Sequence, residues 1–239
     1  MADQQPTPGQ RVERLRRAAG LSREQLAGLA GLSPTTIKFV ENGPRSLTLR
    51  AAQQVAPQRL REARDLIEPR VADGGNEWAE MLADLHLCTA LTRARTGDQG
   101  AWSDWDAARR VVEQALPTGF VGLRTRVSRP LVDVYAVMCA VDLGDPDEAQ
   151  RRAHSLDPAL IPSTERRGRH YVELARSADL ERTQEATLHL VGLAESTSPE
   201  TVRYSPAAQE LAGRLAREAP ASIRAEAIQL ESRIAVPEL

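Results

Sequence analysis

The sequence predicts an all-α protein in two parts, a compact five-helix domain at 9–68 and an antiparallel array of helices at 76–239. Three observations predict it. Aromatic residues are only 3% of the 239 residues, and alanine and leucine stand where strands would need β-branched runs. Apolar residues recur three and four positions apart through most of the chain. Glycine and proline fall mainly in clusters that end one such stretch and open the next.

Charge divides the chain in the same way. Residues 1–70 hold 12 Arg/Lys and 7 Asp/Glu, a net of +5, whereas residues 71–239 hold 19 and 26, a net of −7. A basic module joined to an acidic one directs only the first toward a polyanion. Lys38 is the single lysine among the basic residues. The start from Met1 to Gln10 is polar and lacks a signal-peptide pattern, and no apolar run is long enough for a membrane span. The expectation is a soluble, cytoplasmic protein without a membrane partner. Its two cysteines, Cys88 and Cys139, read as buried free thiols.

Residues 1–8 carry no helical pattern. A first helix is expected from Gly9 to Ala19, with Val12, Leu15 and Ala19 on one face and Gly20 at its end. Ser22 then caps a second helix. Gln25, three positions on, completes a capping box, and Leu21 is placed to staple onto Leu26. Gly31 closes that helix. Leu32-Ser33-Pro34 repeats the start signal: Ser33 caps, Pro34 takes the first helical position, and Leu32 reaches Ile37. Asn42-Gly43 ends this third helix. Two helices of about two turns joined by a short turn make a helix-turn-helix. A fourth helix carries Leu47, Leu49, Ala52 and Val55 and is interrupted at Pro57. A fifth spans roughly 58–67 and stops at Glu68-Pro69. Val71 to Asn76 has linker composition and sets the domain boundary.

Beyond it, helices are expected at 77–95, 102–116, 119–143, 146–156, 163–180, 183–196, 206–218 and 221–234. The breakers between them are short, so neighbours pack as antiparallel pairs.

The run Leu21 to Gly43, LSREQLAGLAGLSPTTIKFVENG, resembles without gaps the DNA-binding domain of phage Cro and cI repressors, the XRE family, in a match that extends over residues 11–56. The matched positions have physical reasons. Ala27 lies where the two helices cross and a larger side chain would push them apart. Gly31 takes a turn conformation that other residues adopt at a cost. Leu26, Ile37 and Val40 face inward toward Val12 and Leu15. Arg16 and Glu41 stand where the family forms a partly buried ion pair. The resemblance implies that the helix from Pro34 to Glu41 enters the major groove N-terminus first. It further implies that Pro34, Thr35 and Phe39 meet base edges, while Arg23, Ser33, Thr36, Asn42 and Arg45 meet phosphates, aided by free N–H groups at both helix starts. Lys38, beside Phe39, is either placed to reach a phosphate or a guanine or is an ordinary solvated lysine. Many relatives carry glutamine or arginine at the base-reading positions; Pro34 has no side-chain donor, so readout here rests on few groups.

The phrase Val141-Asp-Leu-Gly-Asp-Pro-Asp-Glu-Ala149 resembles the turn and second-helix start of a tetratricopeptide repeat, although the full consensus does not recur. Together the resemblances imply a sequence-specific transcriptional regulator of a bacterial kind. It would bind double-stranded DNA as a homodimer, with recognition helices about 34 Å apart. The tetratricopeptide-like array would dimerise or sense a peptide or small-molecule effector. The alternative is a protein-interaction scaffold whose helix-turn-helix is vestigial.

Elsewhere the sequence is sparing with chemistry. His86, His154, His170 and His189 sit on separate predicted helices without metal-ligand spacing. There is no glycine-rich phosphate loop and no supported Ser/His/Asp set, so neither a cofactor, a metal nor an enzymatic activity is expected. Trp102 and Trp105 share a helical face and read as packing ahead of a ligand-pocket wall. Asp104/Asp106 and Asp145/Asp147 read as helix-start caps. Arg124, Arg126 and Arg129, and Arg166, Arg167 and Arg169, form two basic groups. These are either solvated faces or sites for an acidic peptide or a carboxylate ligand.

Overall fold

The computed structural model describes residues 13–14, 16–17, 20–30, 38, 49–72, 75–121, 127–161 and 163–235. Among them there is no strand, as expected of an all-α chain. The helices are α1 (Arg23–Ala30), α2 (Leu49–Ala72), α3 (Asn76–Ala94), α4 (Ala101–Ala115), α5 (Arg129–Asp142) and α6 (Pro146–His154). After a 3-10 turn at Pro158–Leu160 come α7 (Thr164–Leu180), α8 (Gln184–Thr197), α9 (Pro199–Arg203), α10 (Pro206–Glu218) and α11 (Ala221–Ile234). None of the described helices is long and apolar enough to cross a membrane. Contacts divide the chain into two units, Met1–Ala63 and Arg64–Leu239.

The division falls inside α2, which corrects the expected fourth and fifth helices. The helix runs unbroken through Pro57 and Pro69 for 24 residues. An interior proline removes a backbone hydrogen bond and costs about 3 kcal/mol. Good helix formers surround both prolines, and the C-terminal half is anchored by packing within the second unit. Ile67 is buried, Val71 packs on the core, and the Arg70 guanidinium lies over the Trp78 ring at 5.0 Å.

The second unit is a succession of helical hairpins: α3 with α4, α5 with α6, α7 with α8, and α10 with α11. The first three turn by the same device. The chain leaves α3, α5 and α7 through a left-handed residue, Gly97 (φ +75°), Gly144 (φ +75°) and Arg182 (φ +59°). The next N–H then reaches back five residues to a helix carbonyl: Asp98 to Arg93 at 3.0 Å, Asp145 to Ala140 at 2.9 Å, Thr183 to Ala178 at 3.0 Å. This Schellman closure satisfies the last carbonyls of each helix. Glycine adopts that conformation freely, whereas Arg182 carries the strain of its Cβ. Asp145 caps α6 by accepting the Glu148 N–H at 2.9 Å, as its sequence position predicts.

Three expectations are corrected. The predicted helix at 119–143 begins only at Arg129. Ser128 caps it, accepting the Leu131 N–H at 3.4 Å, and Pro130 sits in the first turn. Before it, residues 117–120 make a turn closed by the Phe120 N–H on the Pro117 carbonyl at 3.0 Å. Pro199, read as a breaker, instead opens α9. Asp104 and Asp106 do not cap α4. Asp104 is buried and holds Arg93 at 2.8 Å and Arg64 at 3.2 Å, with His86 at 3.6 Å. Asp106 pairs with Arg109 and Arg110 one turn on.

Among the described residues, three buried apolar clusters hold the hairpins, the smallest being Val137, Ala140 and Val141 of α5 with Ala149 of α6. Leu87, Trp105, Val127, Leu131 and Ile161 belong to the first, and Val172, Val191, Leu211 and Leu230 to the second. Trp105 and Trp102 meet edge to face at 6.0 Å. Trp105 is 6% exposed and its indole N–H donates to the Val132 carbonyl at 2.8 Å. A buried aromatic with its one donor satisfied is a packing residue. The α7 backbone approaches the start of α9 closely: a Cβ on Gly168 would lie 2.8 Å from the Ser198 Cβ.

Candidate nucleic-acid interface

The entry into α1 is built as its sequence dictates. Helical conformation is described at 13–14 and 16–17, and Gly20 ends that stretch in the left-handed region at φ +67°. A Cβ there would meet nothing within 4 Å, so backbone conformation and not space favours glycine. The Gly20 N–H bonds the Arg17 carbonyl at 3.0 Å and the Leu21 N–H bonds the Arg16 carbonyl at 3.1 Å, another Schellman pair. The Arg16 side chain then donates to the Leu21 carbonyl at 2.8 Å. The sequence assigned Arg16 to an ion pair with Glu41, which lies outside the described residues; its bracing of the inter-helix turn was not foreseen.

Ser22 and Gln25 form the predicted capping box in both directions. The Ser22 N–H donates to Gln25 Oε1 at 2.7 Å, and the Gln25 N–H donates to Ser22 Oγ at 3.1 Å. Glu24, fully exposed, has its carboxyl held below the ordinary value, first by its own backbone N–H and then by the Ser22 hydroxyl. The Gln25 N–H is therefore already taken by the Ser22 hydroxyl. It is one of the N–H groups expected to be free at the start of this helix. Arg23, expected to meet a phosphate, is half-buried at the first position of α1. Ala27 is 1% exposed and Leu26 half-buried, the inward face expected of them.

Lys38 is helical and exposed. Ser33, Pro34, Thr35, Thr36, Phe39, Asn42 and Arg45 lie outside the described residues, as do Arg124 and Arg126. Of the other basic residues singled out, Arg167 donates to the Ile161 carbonyl at 3.1 Å and Arg169 pairs with Glu165 at 2.9 Å. Arg166 opposes the effect of burial on both Tyr135 and the Asp84 carboxyl, lowering what desolvation raises. Arg167 and Arg166 are half-buried within the array, whereas Arg169 makes a solvent-exposed pair one turn along its own helix. Arg129 pairs with Glu113 at 3.4 Å.

Both cysteines are free, Cys139 buried and Cys88 half-buried. Burial pushes their thiols up, to about 12 and about 11.

A left-handed glycine, a reciprocal capping box and a small residue buried mid-helix open α1 in the manner expected of the first motif helix of a helix-turn-helix. Residues 12–56, about a fifth of the chain, match the family model described as Helix-turn-helix. No curated protein and no solved structure matched the chain.

Proposed function

We propose that this chain is a sequence-specific transcriptional regulator that binds double-stranded DNA as a homodimer through the domain at 9–68. The carrying observation is the helix-turn-helix match at residues 12–56, which falls within the segment of net charge +5 while the rest of the chain is net acidic. The recognition helix would run from Pro34 to Glu41, with Lys38 exposed on it. Pro34, Thr35 and Phe39 would read bases, and Arg23, Ser33, Thr36, Asn42 and Arg45 would hold phosphates.

The helical array at 76–239 is assigned to dimerisation and to sensing a peptide or small-molecule effector. Its three like Schellman turns and its hairpin-by-hairpin packing support a tetratricopeptide-like reading. An effector that binds one arrangement of the dimer better shifts the population toward it.

Fluorescence anisotropy of the full chain on duplex DNA across a salt series tests the DNA reading. Affinity for DNA falls steeply with salt because neutralised phosphates release counterions; six to ten phosphate contacts lose on the order of a thousandfold or more between about 50 and 200 mM. Absence of binding at low salt would favour an interaction scaffold. Sedimentation at matched concentrations tests the dimer.

A further inference from the structure

A cleft of about 550 Å³ opens between the C-terminal end of α4, the turn at 117–121, the start of α5 and the 3-10 turn. That is within the roughly 300–1,000 Å³ of clefts that hold drug-sized molecules. Val112, Leu116, Phe120, Pro130 and Leu160 line it. Val121 (41% exposed) and Leu160 (61%) edge the same cleft, and they are two of the six large apolar side chains that the described residues leave exposed. Apolar surface gathered in this way around a concavity, instead of scattered singly, marks a binding surface.

The polar groups of the cleft are few and one-sided. Ser128, 2% exposed, uses its oxygen to accept the Leu131 N–H, which leaves its hydroxyl hydrogen available to donate. It stands at the N-terminus of the 14-residue α5, the positive end of the helix dipole. Arg129 is beside it on the same lip, its side chain 71% exposed. It pairs with Glu113 at 3.4 Å, and Glu113 also faces Arg109 at 3.4 Å. A guanidinium with five donors is little spent by that contact. The Glu113 carboxylate beside Arg129 on the rim of the cleft disfavours a polyanion, so a single negative charge fits the α5 end.

We infer that this cleft binds a small amphipathic monoanion. Its apolar body lies against Val112, Leu116, Phe120 and Leu160, and its one carboxylate or sulfonate lies at Ser128 and Arg129. This site deepens the effector reading above and rests on it only for its consequence at DNA, not for binding itself.

The test uses the full chain without DNA and two dyes, anilinonaphthalenesulfonate and phenylnaphthylamine, which share one aromatic body and differ by the sulfonate. Saturable fluorescence enhancement by the sulfonate dye is expected, with displacement by dodecanoate. Leu160→Glu and Val121→Glu, both at exposed positions, each weaken binding of that dye by about tenfold or more, the equivalent of ~1.4 kcal/mol. Arg129→Gln weakens the sulfonate dye and leaves the neutral dye unchanged. No saturable binding by the native protein, or binding by both glutamate variants equal to wild type, overturns the site. Equal loss or no loss of the two dyes in Arg129→Gln overturns the anion assignment. Failure of the chain to bind DNA would sink the regulator reading without touching the dye result, and the reverse holds.

Discussion

Ser22 and Gln25 each bond the other's backbone N–H, at 3.1 and 2.7 Å, and so fix where α1 begins. Ser22→Ala removes the acceptor for the Gln25 N–H and is expected to cost about 1 kcal/mol, while Ser22→Gly costs only a few tenths. Urea unfolding of the full chain, followed by helical ellipticity, checks both. The order alanine worse than glycine is the expected signature.

Asp104 is the buried anion between two hairpin helices and the end of α2. Removing it takes from Arg64 its carboxylate at 3.2 Å and leaves Arg93 only Asp98 at 3.6 Å, with the two arginine side chains 25% and 32% exposed. Asp104→Ala is expected to destabilise the second unit by about 3 kcal/mol. A urea midpoint within error of wild type would show that the arginines find solvent instead.

His170 is 1% exposed and neither ring nitrogen has a partner. Burial lowers its pKa from the ordinary 6.5 to about 4. The unfolded chain therefore binds the proton more readily, and stability is full above pH 6.5 and is lost as pH falls toward 4. The loss approaches about 3 kcal/mol. Half-buried Asp84, Asp133 and Glu173 are raised by desolvation and act in the opposite sense over the acid range. Comparison with His170→Leu isolates the histidine: melting temperature of the variant should fall less than that of wild type between pH 6.5 and 4.

The thiols offer a check on burial. Raised to about 11 and about 12, neither Cys88 nor Cys139 supplies appreciable thiolate at pH 8. Both should react slowly with a disulfide reagent in the folded protein, the half-buried Cys88 ahead of the buried Cys139, and both rapidly in denaturant. Fast reaction of Cys139 in the native state would contradict its place in the core.

Much of this was legible in the sequence because it rests on local chemistry. Ser22 with Gln25, Gly20, Gly144 and Asp145 each specify a helix end through bonds a few residues apart. What sequence reading missed was decided by distant contacts. Pro57 and Pro69 read as breaks, yet α2 continues, held by Ile67, Val71 and Arg70 against residues elsewhere in the chain. Asp104 has the position of a cap and the partners of a core anion. Ser128-Arg-Pro130 was a readable start signal, of the same kind as Ser33-Pro34, hidden by the apolar run that precedes it. The cleft could not be read, because residues 112–116, 120, 130 and 160 meet only in the folded hairpins; Arg129 alone of its wall stood out, as one of a basic group.

The central claim is that residues 34–39 read DNA. Its most direct test is fluorescence anisotropy of the full chain on its own upstream DNA, with unrelated duplex as competitor, for wild type, Thr35→Ala and Lys38→Ala. The account predicts that wild type outcompetes the unrelated duplex, that Thr35→Ala narrows this preference, and that Lys38→Ala lowers affinity. Equal, weak binding by all three proteins to both duplexes would contradict it.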